Sequence, residues 1–216
     1  MNLLVFGATG GTGRECVQQA LARQWRVTAF VRDPARLDVA HARLGIVQGD
    51  VRDANTLSLA FAAARFDACI SALGVYHSGP SVELSEGTRN VVAALERHDV
   101  MRLVLISTLG AAESRSQGSL FVKLYTRTLL RHVLADKARQ EALVRASRLR
   151  YTILRPPQLV DAPAGHRPMV SWQAMRPRDA DLSWKISRAD VATFALDAID
   201  LDRHVGAAVQ LSWARR

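Results

Sequence analysis

The chain has 216 residues, 49% hydrophobic and 23% charged, a balance that excludes a disordered polymer and fits one domain, 1–216, with a substantial core. No run approaches the roughly 20 apolar residues that cross a bilayer, and Met1-Asn2 leads straight into an apolar segment without a cleavable signal, so a cytoplasmic protein without membrane association is expected. The formal charge of +9 would attract nucleic acid, anionic lipid or a phosphate-bearing ligand alike; all but three of the 29 basic residues are arginine, spread along the chain, and compositional bias explains much of the excess.

Leu3 to Phe6 is a short apolar run ended by glycines, and Cys16, Val17, Ala20 and Leu21 recur at helical spacing, which predicts strand, tight turn and helix. Arg26 to Val31 and Gly45 to Gln48 predict the second and third strands. Leu57, Ala60, Phe61 and Ala64 form a helical stripe behind a cap at Asp53. Ala68 to Ile70 is a fourth strand, Leu84, Thr88, Val91, Val92 and Leu95 a helix face, Leu103 to Ile106 a fifth strand, and a further helix falls within Leu120 to Ser147. Tyr151 to Leu154 is a sixth strand stopped by Pro156-Pro157, because proline cannot donate to a sheet ladder. Residues 156–182, with Pro163, Pro168, Trp172 and Pro177, read as a substrate-side loop region, either a lid or a surface excursion. Ser187 with Asp190 forms a capping box ahead of the stripe Val191, Phe194, Ala195, Ala198 and Ile199, and Ala208 to Leu211 closes the sheet.

This alternation implies an α/β fold, a doubly wound parallel sheet of Rossmann type with helices on both faces. Ligands of such folds bind beyond the carboxyl ends of the strands, which selects the turns at Gly7, Arg32, Asp50, Ser71, Ser107 and Pro156. The first is Gly7-Ala8-Thr9-Gly10-Gly11-Thr12-Gly13: its glycines let backbone approach a pyrophosphate, and the helix behind offers unpaired N–H groups. After the second strand, where an NAD site places a carboxylate, stands Arg32, with Arg36 a turn further and Thr12 able to donate a hydroxyl; these favour the 2′-phosphate of NADPH. Asp33 beside them leaves room for NAD. Asp50-Val51 either meets the adenine or is a helix-capping turn, and Leu73 and Gly74 offer small passage for a cofactor. Cys16 and Cys69 match no metal spacing, and neither metal nor disulfide is expected. His77 lies in a loop after the fourth strand, from which it could reach a ligand.

With these residues in view, the sequence resembles the atypical short-chain dehydrogenase superfamily, in particular its NmrA-like and biliverdin reductase B (NADPH-dependent flavin reductase) branch. The likeness rests on Phe6 to Gly13, Val31-Arg32-Asp33-Pro34, Gly49-Asp50-Val51, Ser85 to Ala94, Tyr151 to Asp161 and Ile186 to Asp190. It implies NADPH in the glycine turn, Arg32 and Arg36 on its 2′-phosphate, and a flat aromatic acceptor above the nicotinamide, near Pro156. FMN would then be a substrate rather than a bound cofactor. The orthodox Tyr-x-x-x-Lys acid is absent: Val133 stands four residues before Lys137 and Leu129 four after Tyr125. Gln158 replaces a histidine of the biliverdin reductase B pattern and cannot shuttle a proton, which counts against tetrapyrrole and leaves flavin or a quinone-like molecule as the more cautious inference. Ser107 either donates to the acceptor or satisfies backbone. Lys137 either contacts the nicotinamide ribose or is solvated.

Two functions follow. The first is an NADPH-dependent reductase working by hydride transfer, with Ser107 and Gln158 at the reacting end and proximity as its main device. The second is an NmrA-like regulator that senses NADP(H) without turnover and engages a protein partner. Nucleic acid is an improbable partner, because the arginines from Arg127 to Arg150 come without an aromatic stacking platform.

Overall fold

The computed structural model describes residues 1–74, 82–112, 131–173 and 182–215. His77, Tyr125, Arg127, Leu129, Pro177 and the start of the helix expected within Leu120 to Ser147 lie outside these residues.

Strand β1 (Asn2–Phe6) shows how the chain specifies two layers. Successive side chains of a strand point to opposite faces. Leu3 and Val5 enter an apolar layer with Val17, Leu21, Val191 and Leu196, whereas Leu4 and Phe6 enter a second one with Leu57, Val91, Leu95 and Leu105. A strand apolar at every position is therefore buried on both faces, as central strands of a parallel sheet are. Around it lie β2 (Arg26–Val31), β3 (Leu44–Gln48), β4 (Ala68–Ser71), β5 (Arg102–Ile106) and β6 (Arg150–Arg155), followed by β8 (Met169–Trp172) and β10 (Ala207–Trp213). The sheet order is β3-β2-β1-β4-β5-β6-β10-β8, parallel except that β8 runs antiparallel to β10. The order reverses at β1, where β2 and β4 flank it, and that reversal opens a crevice at the strands' carboxyl ends. The fold is a doubly wound Rossmann sheet.

Helix α1 (Gly11–Ala22) follows β1 and α2 (Ala54–Ala63) follows β3, capped by Asp53, whose carboxylate accepts from Asn55 N–H at 2.9 Å. Helices α3 (Glu83–Arg97), α4 (Arg131–Arg145) and α5 (Arg188–Asp200) complete the described set. Because α3 begins at Val82 without a side-chain cap, its first N–H groups need acceptors from elsewhere. Asp136 of α4 supplies them, accepting from Leu84 N–H at 3.0 Å, Ser85 N–H at 3.3 Å and Ser85 Oγ at 2.6 Å. Gln140 adds a bond to Thr88 Oγ1 at 2.9 Å.

The region after Pro157 differs from the expected loop. Gln158–Val160 forms β7, paired parallel with β9 (Lys185–Ser187), and Met169–Trp172 is an edge strand of the main sheet. Two short strands of this stretch are thus held by backbone pairing, β8 on the main sheet and β7 on β9 in a separate two-stranded sheet, with Pro163 and Pro168 in the connection between them, where no ladder bond is required. The Ser187–Asp190 cap is present in altered form: Ser187 Oγ accepts from Asp190 N–H at 2.9 Å, and the Asp190 carboxylate accepts from the Ser187 hydroxyl at 2.7 Å and also from Gly165 N–H at 2.7 Å and Trp213 Nε1 at 2.6 Å.

Candidate functional site

The crevice is a cleft of about 270 Å³. Ten residues singled out in the sequence line it: Gly7, Thr9, Gly10, Gly11, Arg32, Arg36, Asp50, Val51, Leu73 and Gly74. They come from four separate turns, and only the parallel sheet brings them together.

The floor of the cleft is the glycine turn. Gly7 has φ +75°, and a Cβ there would stand 2.6 Å from the Ala72 carbonyl oxygen. A side chain is excluded both by conformation and by space. A Cβ at Gly13 would lie 2.1 Å from the Gly7 carbonyl oxygen, so this glycine lets α1 press against the turn. Gly10 caps α1 without a side-chain bond, and no acidic residue stands in its first turn. The helix therefore presents free N–H groups and a partial positive charge to the cleft. Thr12 and Gly13 shape this turn from behind; Thr12 is buried and does not line the cleft.

Arg32 and Arg36 stand exposed at one end, and neither guanidinium is in an ion pair among the described residues. Asp33 does not pair with Arg32; its carboxylate accepts from Ala35 N–H at 3.1 Å, opening the short 3-10 turn that carries Arg36. Arg14, missed in the sequence, reaches across from α1 to donate to the Arg36 carbonyl at 3.1 Å, and its Nε is buried without a partner. Its signal was a basic residue in a helix first turn, where cations are disfavoured unless an anion comes between. Asp50 takes a bidentate pair from Arg52, at 2.7 Å from Nη2, and Arg52 holds its carboxyl below the ordinary range. Arg52, also missed, lines the cleft beside Val51. Val51 is fixed in turn by α3: Asn90 Nδ2 donates to the Val51 and Arg52 carbonyls at 3.0 and 3.1 Å, and a Cβ at Gly87 would fall 2.6 Å from Val51 Cγ2. The Ser85 to Ala94 motif thus works as scaffolding for this turn.

Ser107, Lys137, Pro156 and Gln158 do not line the cleft, and the region beyond Leu73 that holds them is built differently. Lys137 is not solvated: it is 7% exposed and its ammonium donates to the Leu73 carbonyl at 2.9 Å and the Ile106 carbonyl at 3.0 Å, leaving one N–H. Burial pushes it down to about 8, against the partial support of Glu141 and Asp136. Ser107, buried after β5, donates its hydroxyl to Glu141 Oε1 at 2.6 Å. The same carboxylate pairs with Arg155 through Nε at 3.1 Å and through Nη2. Neither member of this pair is more than 1% exposed, and neither was singled out in the sequence; the available signal was the i, i+4 spacing of Lys137 and Glu141 on one helix face. Pro156 is buried and its carbonyl accepts from Leu109 N–H at 2.8 Å. Gln158 is exposed on β7, its backbone N–H donating to the Trp184 carbonyl at 3.2 Å. Nearby, Leu109, Pro157, Trp172 and Trp184 share a small apolar hollow. Among the described residues no His, Cys, Asp or Glu cluster is suited to a metal.

A glycine cradle closed to side chains, a free helix N-terminus and unpaired cations at the switch point of the sheet define a dinucleotide-binding protein. Residues 7–202 match the NAD(P)H-binding family. The chain belongs to that family, among the atypical short-chain dehydrogenase, NmrA-like Rossmann proteins. It is 31% identical over 211 residues to an uncharacterized chloroplastic protein of Arabidopsis thaliana, spanning 91% of this chain and 71% of that one. It is similar to ChuY, described as an anaerobilin reductase, from Escherichia coli O157:H7, with TM-score 0.81 and 25% identity over 98% of this chain and 96% of the other. A short-chain dehydrogenase/reductase of Veillonella parvula, solved in complex with NADP, shares the fold at TM-score 0.77 and 17% identity, over 97% and 93% of the two chains. Among the described residues no helix is long and apolar enough to cross a membrane.

Proposed function

We propose that the chain is an NADPH-dependent reductase acting on a flat, conjugated small molecule: a flavin such as FMN used as substrate, a quinone-like compound or a tetrapyrrole. The observation that carries this reading is the cleft itself, with the glycine turn as floor and the exposed Arg32 and Arg36 at one end. NADPH, when bound, supplies a hydride. The first-turn N–H groups of α1 would hold its pyrophosphate, Arg32 and Arg36 its 2′-phosphate, and Val51 and Arg52 the adenine, with Asp50 orienting Arg52. Gly74, where a Cβ would meet nothing within 4 Å, keeps the passage open. The remaining N–H of Lys137 is suited to a ribose hydroxyl.

At the reacting end, Glu141 and Arg155 hold Ser107 in place, and Leu109, Pro157 and Trp184 offer apolar surface to an acceptor. The Ser107 hydroxyl is already committed as a donor to Glu141, so the site orients rather than acidifies. That suits acceptors needing little acid assistance, since orientation alone can remove several kcal/mol from a barrier. The likeness to ChuY returns a tetrapyrrole to the acceptors worth testing first, although Gln158 offers no proton. The committed Ser107 hydroxyl is equally the observation favouring the second reading, a sensor that binds NADP(H), does not turn it over and signals to a protein partner.

Purified protein mixed anaerobically with NADPH and, separately, FMN, a quinone and biliverdin separates these readings. The reductase reading expects loss of reduced-nicotinamide absorbance above a protein-free control with at least one acceptor. Tight NADPH binding with no consumption for any acceptor would sink it in favour of the sensor.

A further inference from the structure

Arg188 carries an inference that the glycine turn alone does not. A Cβ on Gly11 would lie 2.6 Å from Arg188 Cδ and 2.7 Å from its Nε, so this side chain from the far half of the sequence lies directly over the first residue of α1. Gly11 itself lines the cleft. The position is not incidental to a floppy surface. Helices α1 and α5 run side by side in the same direction: Gly11 meets Arg188, Gln19 bonds the Ala189 carbonyl at 3.0 Å and Thr193 Oγ1 at 2.8 Å, and Arg23 pairs with Asp197 at 2.6 Å. Ser187, fully buried, caps α5 immediately before Arg188.

The N-terminus of α1 and a guanidinium thus meet at Gly11, while the start of α5 lies further along α1 beside Gln19, and both features at Gly11 favour negative charge. The carboxylates there are few. Asp161 pairs with Arg188 Nη1 at 2.8 Å but is 90% exposed, a pairing that contributes little in water. Glu15 accepts from Gln19 Nε2 at 3.1 Å, and Asp190 is taken up by Ser187, Gly165 and Trp213. Among the described residues the positive end remains under-neutralised.

We propose that Arg188 is a binding residue for the cofactor's pyrophosphate, a clamp that exchanges Asp161 for phosphate oxygens and closes over Gly11. It rests on the assignment of the glycine turn as the dinucleotide site. The absence of a side chain at Gly11 is then the condition for the clamp, since any Cβ would displace the arginine. Asp161 acts as its resting partner and competes with the phosphate.

The test is titration of NADPH, NADH and 2′-AMP, which carries the 2′-phosphate but no pyrophosphate, into wild type, Arg188→Gln and Asp161→Asn, with melting curves to confirm folding. Arg188→Gln is expected to weaken NADPH and NADH alike by about tenfold and to leave 2′-AMP unchanged, the loss of a charge-assisted pair. Asp161→Asn, an exposed change that leaves the fold intact, is expected to tighten both dinucleotides about twofold. Wild-type dinucleotide affinity in Arg188→Gln overturns the proposal, as does loss of 2′-AMP in the same proportion or weaker dinucleotide binding in Asp161→Asn. If Arg188→Gln does not fold, Asp161→Asn decides alone, and unchanged affinity there overturns the clamp. A wild-type protein that binds neither dinucleotide overturns the cofactor assignment itself, and the clamp with it.

Discussion

At the end of the cleft proposed for adenosine, Arg32 and Arg36 are exposed and hold no ion pair among the described residues, while at the proposed reacting end, beyond Leu73, Ser107, Lys137, Glu141 and Arg155 are all at most 7% exposed and bonded to one another or to backbone. The difference reflects what each end has to do. Exposed cations keep their hydration until an anion arrives, so they cost the empty protein little and give affinity and selectivity. Buried charges must be satisfied internally, and removing one partner strands the other. One end is built to recognise, the other to stay still. Function should therefore respond to substitutions at the first, and stability to substitutions at the second.

The largest effect expected of this contrast is at Glu141. Glu141→Ala leaves Arg155 buried with its main counter-charge gone and Ser107 without its acceptor, and should lower unfolding free energy by about 3–5 kcal/mol in denaturant titration; a loss below about 1 kcal/mol would break the comparison. Next is Lys137. Its folded value near 8, against 10.5 for an ordinary lysine, means that the unfolded chain binds a proton between those pH values that the folded one does not. Stability from this group therefore rises with pH across that window and is constant below it. The buried thiols of Cys16 and Cys69, both pushed up by burial, act in the opposite sense, so the quantity to follow is wild type minus Lys137→Met, in which they cancel. That difference should climb by about 1 kcal/mol per pH unit from pH 8 to 10.5; a flat difference would show that the ammonium is not held out of water. The smallest effect is at Ser107. Ser107→Ala should cost about 1 kcal/mol of stability and leave the rate of NADPH consumption within a few-fold, whereas a loss of two orders of magnitude would make its hydroxyl a proton donor to substrate.

The elements that build the cleft were legible because each carried its own local signal. The β2 strand runs from Arg26 to Val31 as its pattern predicted, Asp53 caps α2, and the glycine turn opens α1. Strands β7, β8 and β9 were not legible. They are three or four residues long, in a proline-bearing stretch, and exist through pairings such as Gln158 with Lys185 and Met169 with Trp213 that no local period encodes. The recognising end of the site was readable for the same reason that it is exposed: an arginine where a carboxylate is usual stands out in a sequence. The Glu141–Arg155 pair did not, because a buried ion pair is made by two ordinary surface residue types meeting across the fold. Arg155 ends β6 directly after the apolar Ile153 and Leu154, and its burial follows from the place of that strand between β5 and β10. Lys137 stayed open between ribose contact and solvation for want of the Leu73 and Ile106 carbonyls, which only the neighbouring strands bring to it. Arg188 sat in a motif quoted for resemblance, yet its place over Gly11 depends on two helices 177 positions apart lying side by side.

The central claim is that exposed, unpaired arginines at the adenosine end select the phosphorylated cofactor, and the most direct measurement is the ratio of NADPH to NADH affinity in wild type and in Arg32→Ala. Wild type is expected to prefer NADPH, and the variant to lose at least about tenfold in NADPH affinity while NADH is unchanged, the worth of a charge-assisted pair with the 2′-phosphate. A ratio that is the same in both proteins would contradict the account.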